Sequence, residues 1–363
     1  MATTATARFS TSKTQNTADY ANIKYTLADP VPETTTSVTT VTGDGTTVST
    51  TTTTVTTVST VVDQKHGLVY TPYYDELSVY SCDTSFKELI IPESFDGKKI
   101  TNITDQAFKD SHAEKIVLPE TVTYLQDRMF AGLKELKEVS FSSKITYIPS
   151  YCFDGCTSLT TLPTDSITGI STGAFRNCSS FNIGKWDQVT YISDYTFMNC
   201  TSLTEFTLPP QVTSLYTQCF AGCTSLKTFN MNSTVNYVNN RVFEGCTSLE
   251  SISLPRSCTS INENAFKGCT SLVQIDLPDS CSSISRGAFS NCTALKEITL
   301  PESLTYINSN VFDGCTSLEK VTIPTKSSLS LYSESFLNCP SLKELTYNSS
   351  SIYFESHSIG YLR

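Results

Sequence analysis

The sequence predicts a right-handed solenoid in which one short parallel β-strand recurs in every coil of 22–24 residues. Three observations carry that prediction. A large apolar anchor returns at Phe108, Phe130, Phe153, Phe175, Phe197, Phe220, Phe243, Phe266, Phe289, Phe312 and Phe336. Two residues after each anchor stands Gly, Asn or Asp, from Asp110 and Gly132 to Gly314 and Asn338. Further along each copy comes an alternating apolar pair, such as Ile252 and Leu254 or Ile298 and Leu300.

Each column has a physical reading. The alternating pair is the period-2 signature of a short strand with one face buried. Stacked in register about 4.8 Å apart, eleven such strands build a parallel sheet roughly 50 Å long. Pro at 119, 209, 255, 278, 301 and 324 removes a ladder donor and so ends the strand at a fixed place. A second apolar pair then returns the chain inward, as in Val122/Leu125, Val212/Leu215 and Leu304/Ile307. Only Gly, Asn and Asp visit the left-handed region readily, so the column after Phe predicts a turn with positive φ in every coil.

Before the coils, residues 64–100 read as a cap: a β-hairpin of Leu68–Thr71 with Leu77–Tyr80, then a divergent first coil with Asp96, Gly97 and Lys98 inserted. A cap is needed because the first coil would otherwise expose its core and an open sheet edge. Residues 34–62 are dominated by Thr and Val, with Asp44 as their one charge. Two readings stand: a flexible stalk open to O-glycosylation, or a β-prone hairpin turning at Gly43-Asp44-Gly45. Such an uncharged, Pro-free run also suits pairing with the sheet edge of another copy. The chain thus divides into a polar arm (1–33), this Thr-rich segment (34–63), the cap (64–100), the coils (101–347) and a closing cap (348–363). The coils across 153–196 are least regular, with Pro163 early and Trp186 in the usual Pro region, which points to a bend or a special contact.

The 363 residues carry a formal net charge of −10, with no block of like charge. That balance argues against a nucleic-acid or anionic-membrane surface. No run approaches 18 apolar residues, so no membrane span is expected. Residues 1–33 lack an apolar run of secretory type, which at face value places the chain in the cytoplasm.

With these columns in place, Phe-x-Gly-Cys-Thr-Ser-Leu-x-x-Ile-x-Leu-Pro, read at Phe243–Pro255, resembles the BspA-like leucine-rich repeat proteins. The stretch Ile90–Phe108 is similar to that family's first repeat, insertion included. The resemblance covers roughly residues 80–347. It implies a non-enzymatic, adhesin-like binding module at the cell surface or outside the cell, with a host or matrix protein as partner.

The chain has 14 Cys, of which Cys156, Cys178, Cys200, Cys223, Cys246, Cys269, Cys292, Cys315 and Cys339 form a column three after Phe. Metal sites need ligands in close pairs, and this spacing offers no partnering His. Stacked thiols about 5 Å apart point in parallel, so the expectation is a free, buried, core-forming column rather than disulfides. His66, His112 and His357 are the only histidines, and none stands beside a repeat Cys. No nucleophile arrangement, phosphate loop, metal or cofactor is expected, and the chain reads as not an enzyme. Of the six N-glycosylation sequons, Asn177, Asn199 and Asn291 belong to the turn column and are explained without sugar.

Two outward stripes are the candidate contacts. Strand residues flanking the buried Ile are expected on the concave side: Glu138, Glu205, Gln274, Asp276, Glu297 and Lys320 among them. Solenoids bind partners on such surfaces, though a solvated sheet face explains the same ladder. The second stripe is Tyr124, Tyr147, Tyr191, Tyr237 and Tyr306, each directly before a buried residue. Recurring exposed Tyr suits a protein interface. The rival reading is a structural subunit that polymerises by strand addition from residues 34–62.

Overall fold

A computed structural model describes residues 60–182, 186–323, 329–332, 334–347 and 352–354. The expected arm and Thr-rich segment through residue 59, and most of the expected closing cap, lie outside the described residues.

The cap sheet is built from β1 (Val61–Asp63), β2 (Leu68–Tyr73), β3 (Glu76–Cys82), β5 (Ser94–Phe95) and β6 (Lys98–Ile103), in the order β1-β2-β3-β6-β5; β4 (Glu88–Ile90) instead opens the coil ladder. Strands β2 and β3 pair antiparallel around a two-residue turn at Tyr74 and Asp75, where Tyr74 takes φ of 54°. The Asp96-Gly97 insertion is the tip of a second hairpin between β5 and β6, and β6 pairs parallel with β3.

After the cap the chain winds in coils joined strictly one repeat apart. Leu89 faces Ile116 and Ile116 faces Val139; Phe206 faces Phe229, Ile252 faces Ile275, and Ile298 faces Val321. These three-residue strands bury the middle side chain and expose the flanking two, as in Glu205–Thr207 and Ser251–Ser253. The structure adds a second, two-residue strand to most coils, formed by the returning apolar pair. Ile148, Ile170 and Ile192 stack in one such ladder, and Leu215, Val238, Ile261 and Ile284 in another. No helix occurs among the described residues.

A third ladder runs along the turn side. The N–H groups of Arg128, Phe130 and Gly132 donate to the carbonyls of Ser150, Cys152 and Asp154 in the next coil, at 3.0, 2.9 and 2.7 Å. The same alternation repeats coil after coil. It needs left-handed residues on both sides of Phe, and the structure has them. Every residue of the predicted turn column, Asp110 to Asn338, has positive φ. So does a second column two before Phe, including Arg128, Tyr151, Tyr195, Gln218 and Arg241. Its mixed, bulky composition hid that column from sequence reasoning.

The interior is one continuous hydrophobic cluster from Leu68 to Leu342. Its spine is the Phe column, whose neighbouring rings lie 5.0–6.1 Å apart and within 23° of parallel. The widest departures flank Phe220, where Phe206 and Phe229 meet its ring edge-on at 4.7 and 5.0 Å. Among the described residues of the irregular region, the three-residue-strand ladder is carried by the bridge Glu138–Thr161, and Trp186 buries its ring between Phe175 and Phe197.

The Cys-Thr-Ser-Leu motif is a set of staples. Each thiol of the column donates to the Phe carbonyl of the preceding coil: Cys246 to Phe220 at 3.2 Å, Cys269 to Phe243 at 3.2 Å, Cys315 to Phe289 at 3.1 Å. That carbonyl already accepts one backbone N–H, and the thiol occupies its second lone pair. The neighbouring Thr does likewise one position on, Thr247 to the Thr224 carbonyl and Thr270 to that of Thr247. All described cysteines are free, and burial holds the ladder thiols well above their ordinary pKa.

Two outcomes follow. Gly245 has positive φ and room for a methyl group, so Gly245→Ala costs about 1–2 kcal/mol in denaturant unfolding from backbone strain alone. Gly222→Ala costs more, because its new methyl also meets the Asn199 side-chain oxygen. Burial pushes the Cys223 and Cys292 thiols from 9.0 up to about 12, so the unfolded chain loses these protons first as pH rises. Their contribution is whole below pH 9 and disappears toward 12, at about 1.4 kcal/mol per thiol per pH unit. Urea melts between pH 8 and 10.5 therefore show falling stability, with a shallower fall in the Cys223→Ala/Cys292→Ala chain.

Candidate functional site

Two exposed faces emerge from the two strand ladders. On the three-residue strands, the outward columns begin with a charge checkerboard. Lys87-Glu88, Glu114-Lys115 and Lys137-Glu138 occupy successive rungs, so opposite charges meet both along and across them. Lys137 reaches Glu114 at 2.6 Å, Lys87 reaches it at 3.8 Å, and Lys115 lies 3.4 Å from Glu88 and 3.7 Å from Glu138. Beside it Glu135 takes Lys87 at 2.5 Å and the His112 ring at 2.7 Å, and these donors hold its carboxyl below the usual range. Lys137 does the same for Glu114.

The same pattern returns at the far end as Lys296-Glu297, Glu319-Lys320 and Lys343-Glu344, with Lys320–Glu344 at 3.1 Å and Lys343–Glu319 at 3.6 Å. Between the two checkerboards, past the irregular coils, the rungs read Thr204-Glu205, Lys227-Thr228, Glu250-Ser251 and Val273-Gln274. Among the described residues Glu205, Lys227 and Glu250 have no ion pair, and Val273 is exposed. Gln274 donates to Asp276 at 3.1 Å. Of the predicted strand-face residues, Glu138 and Lys320 therefore sit in self-paired ends, whereas Glu205, Gln274 and Asp276 lie in the central stretch. Glu297 stands at its border.

The second face carries the predicted Tyr stripe. Tyr147, Tyr191, Tyr237 and Tyr306 each open a two-residue strand, and Tyr124 occupies the equivalent place one coil earlier. Tyr124, Tyr147 and Tyr237 are exposed; Tyr191 and Tyr306 are half-buried. The Tyr124 hydroxyl donates to Asn102 at 2.6 Å, and Asn102 in turn donates to Ser78 at 2.8 Å. Burial, then the neighbouring Tyr73 hydroxyl, raises the Tyr124 pKa to about 12. The Tyr147 and Tyr191 hydroxyls lie 3.5 Å apart across Gly169. The stripe is longer than the repeat pattern shows: Tyr73 of the cap hairpin reaches Tyr124 at 3.5 Å, Tyr74 packs on Tyr73, and Tyr216 is exposed nearby. Tyr73 and Tyr74 escaped the sequence reading because they precede the first repeat. Tyr216 did so because it follows its buried neighbour instead of preceding it.

Among the described residues no group of three or more His, Cys, Asp or Glu is placed to hold a metal ion. No described helix is long and apolar enough to cross a membrane. With this geometry, the BspA type leucine rich repeat region matches as a family model in six copies, over residues 78–182, 170–286 and 237–361. The chain belongs to that family. Leucine-rich repeat proteins of this kind are typically surface proteins and interaction scaffolds, generally without catalytic activity. No curated protein matches the chain in sequence.

Solved structures are similar to the chain. The pneumococcal vaccine antigen PcpA is 18% identical, with 82% of this chain and 94% of that one aligned at a TM-score of 0.51. A leucine rich cell surface protein from Faecalibacterium prausnitzii is 20% identical over 80% of this chain and 95% of its own, at 0.43. A leucine-rich repeat protein from Bacteroides ovatus is 20% identical over 83% and 99%, at 0.39.

Tyr124→Phe removes the bond to buried Asn102 and lowers stability by about 1 kcal/mol in denaturant unfolding. Tyr237→Phe, whose hydroxyl meets only Ser214 at 3.4 Å, leaves stability unchanged in the same assay.

Proposed function

We propose that the chain is a non-catalytic, adhesin-like scaffold that binds another protein on the central rungs of its three-residue-strand face. One observation carries this reading: the charges of the first three rungs, and Glu319, Lys320, Lys343 and Glu344 at the far end, pair with one another, whereas Glu205, Lys227, Glu250 and Asp276, with Lys296 and Glu297 at the border of the central stretch, have none of their charge matched by an ion pair. Self-paired surface charges gain little from a partner, because each new contact first displaces an existing one. Unpaired charges around the exposed Val273 offer both steering and a small apolar centre. A rod of stacked coils presents such a surface on a rigid frame, which suits repeat proteins to protein recognition. Its family, which is typical of surface proteins, supports a place at the cell surface.

A second reading has its own observation. Strand β1 is the outer strand of the cap sheet and directly continues the Thr-rich segment, so strand addition between copies would start from that edge. Removing residues 1–59 leaves a scaffold's oligomeric state unchanged in light scattering; a shift to monomer favours assembly instead.

The binding test uses the full chain as bait against protein extracts from its native source. Glu205→Lys/Glu250→Lys/Asp276→Lys lowers retention of the captured protein about tenfold or more, whereas Glu138→Lys at a self-paired end lowers it far less. Equal retention by both variants sinks the assignment.

A further inference from the structure

The face of the two-residue strands is chemically unlike the strand face just described. Its three outward columns run Thr123, Tyr124 and Gln126 in one coil and Thr305, Tyr306 and Asn308 eight coils on. Over these nine coils, both ends included, the columns hold Thr, Tyr, Ser, Asn, Gln, Gly and Pro, and not one charged residue, although 17% of the chain is charged. We propose that this face binds a neutral, unbranched polysaccharide running along the coil axis.

Three features point to that ligand. The first is the missing charge. A neutral ligand laid over a Lys or Glu desolvates it without supplying a counter-charge, so a surface fitted to one excludes both. The second is the pairing of ring and polar tip. A sugar presents an apolar C–H face rimmed by hydroxyls, and Tyr presents an apolar body with a hydroxyl at its end. Asn239, Asn262 and Asn308 add amides that both donate and accept. The third is that the rings are held in place. An added methyl at Gly169 would meet the Tyr147 and Tyr191 rings at 3.2 and 3.3 Å, so glycine there lets both lean over it. Tyr124 is tied to Asn102. Rings fixed beforehand lose little freedom on binding.

The repeat itself favours a polymer. Successive rungs about 4.8 Å apart offer the same weak contact many times, and a chain with its own regular repeat engages several at once. A protein partner fits less well. Of the residues that protein interface cores concentrate, Tyr, Trp, Phe, Met and Arg, these columns hold Tyr alone, and they carry Ser193, Ser214, Ser260, Ser283 and Ser285, a type such cores are poor in.

The test titrates the full chain with neutral hexaoses of the β-glucan, mannan and chitin types, and with heparin as an acidic comparison, by calorimetry. Saturable binding of at least one neutral hexaose, insensitive to salt, is the expected result. Tyr147→Ala and Tyr191→Ala each weaken it about tenfold, Tyr147→Phe keeps it, and Glu205→Lys/Glu250→Lys has no effect, with thermal melts confirming that every variant is folded. The proposal is overturned if no neutral hexaose binds, if only heparin does, or if binding survives loss of both rings. It also fails if the Tyr variants release a captured protein without any effect on sugar.

Discussion

A coil of this chain closes only by passing through left-handed backbone on either side of its Phe, and the rest of the rod depends on that arc. Positive φ at Arg128 and Gly132 turns alternate N–H groups along the axis, where the next coil's carbonyls receive them. Once that ladder sets the register, the Phe rings stack, the Phe carbonyl comes within reach of the following thiol, and both strand ladders fall one repeat apart. Cys suits its position because it is small, packs as an apolar residue and still offers a weak donor. A larger apolar side chain there would crowd the neighbouring Phe.

The division of labour between faces follows from the same geometry. Each coil turns four outward columns or more to solvent, and stacking copies whatever each column contains into a stripe. Alternating Lys and Glu on adjacent rungs therefore become ion pairs between coils at the two ends, while an unbroken run of uncharged residues becomes a neutral wall. No single coil shows either property. Both are collective, which is why the two surfaces differ so sharply although the same coils build them.

Much of this was legible in the residues. The period, the buried pair, the Gly/Asn/Asp turn and the unpaired Cys column each leave one residue type at one place, and each maps onto a feature of the fold. What stayed hidden lacks such a mark. The left-handed column before Phe mixes Arg, Tyr, Gln and Glu with Gly173, Asn264, Gly287 and Asn310, so its backbone demand leaves only a diluted compositional trace. The second strand is two residues long, too short for a period. The charge checkerboard was written in Lys87-Glu88, Glu114-Lys115 and Lys137-Glu138, but its meaning needs the rungs laid side by side. Tyr73 comes to the stripe from the cap, outside any repeat.

Because every ladder joins a residue only to its counterpart one repeat away, the rod has no fixed length built into its interactions. Excising one whole copy, such as residues 246–268, would rejoin Gly245 to Cys269 and leave each column continuous with its own kind. Lineages of this chain can therefore grow or shorten in quanta of about 23 residues through unequal recombination, changing reach without redesigning the interior.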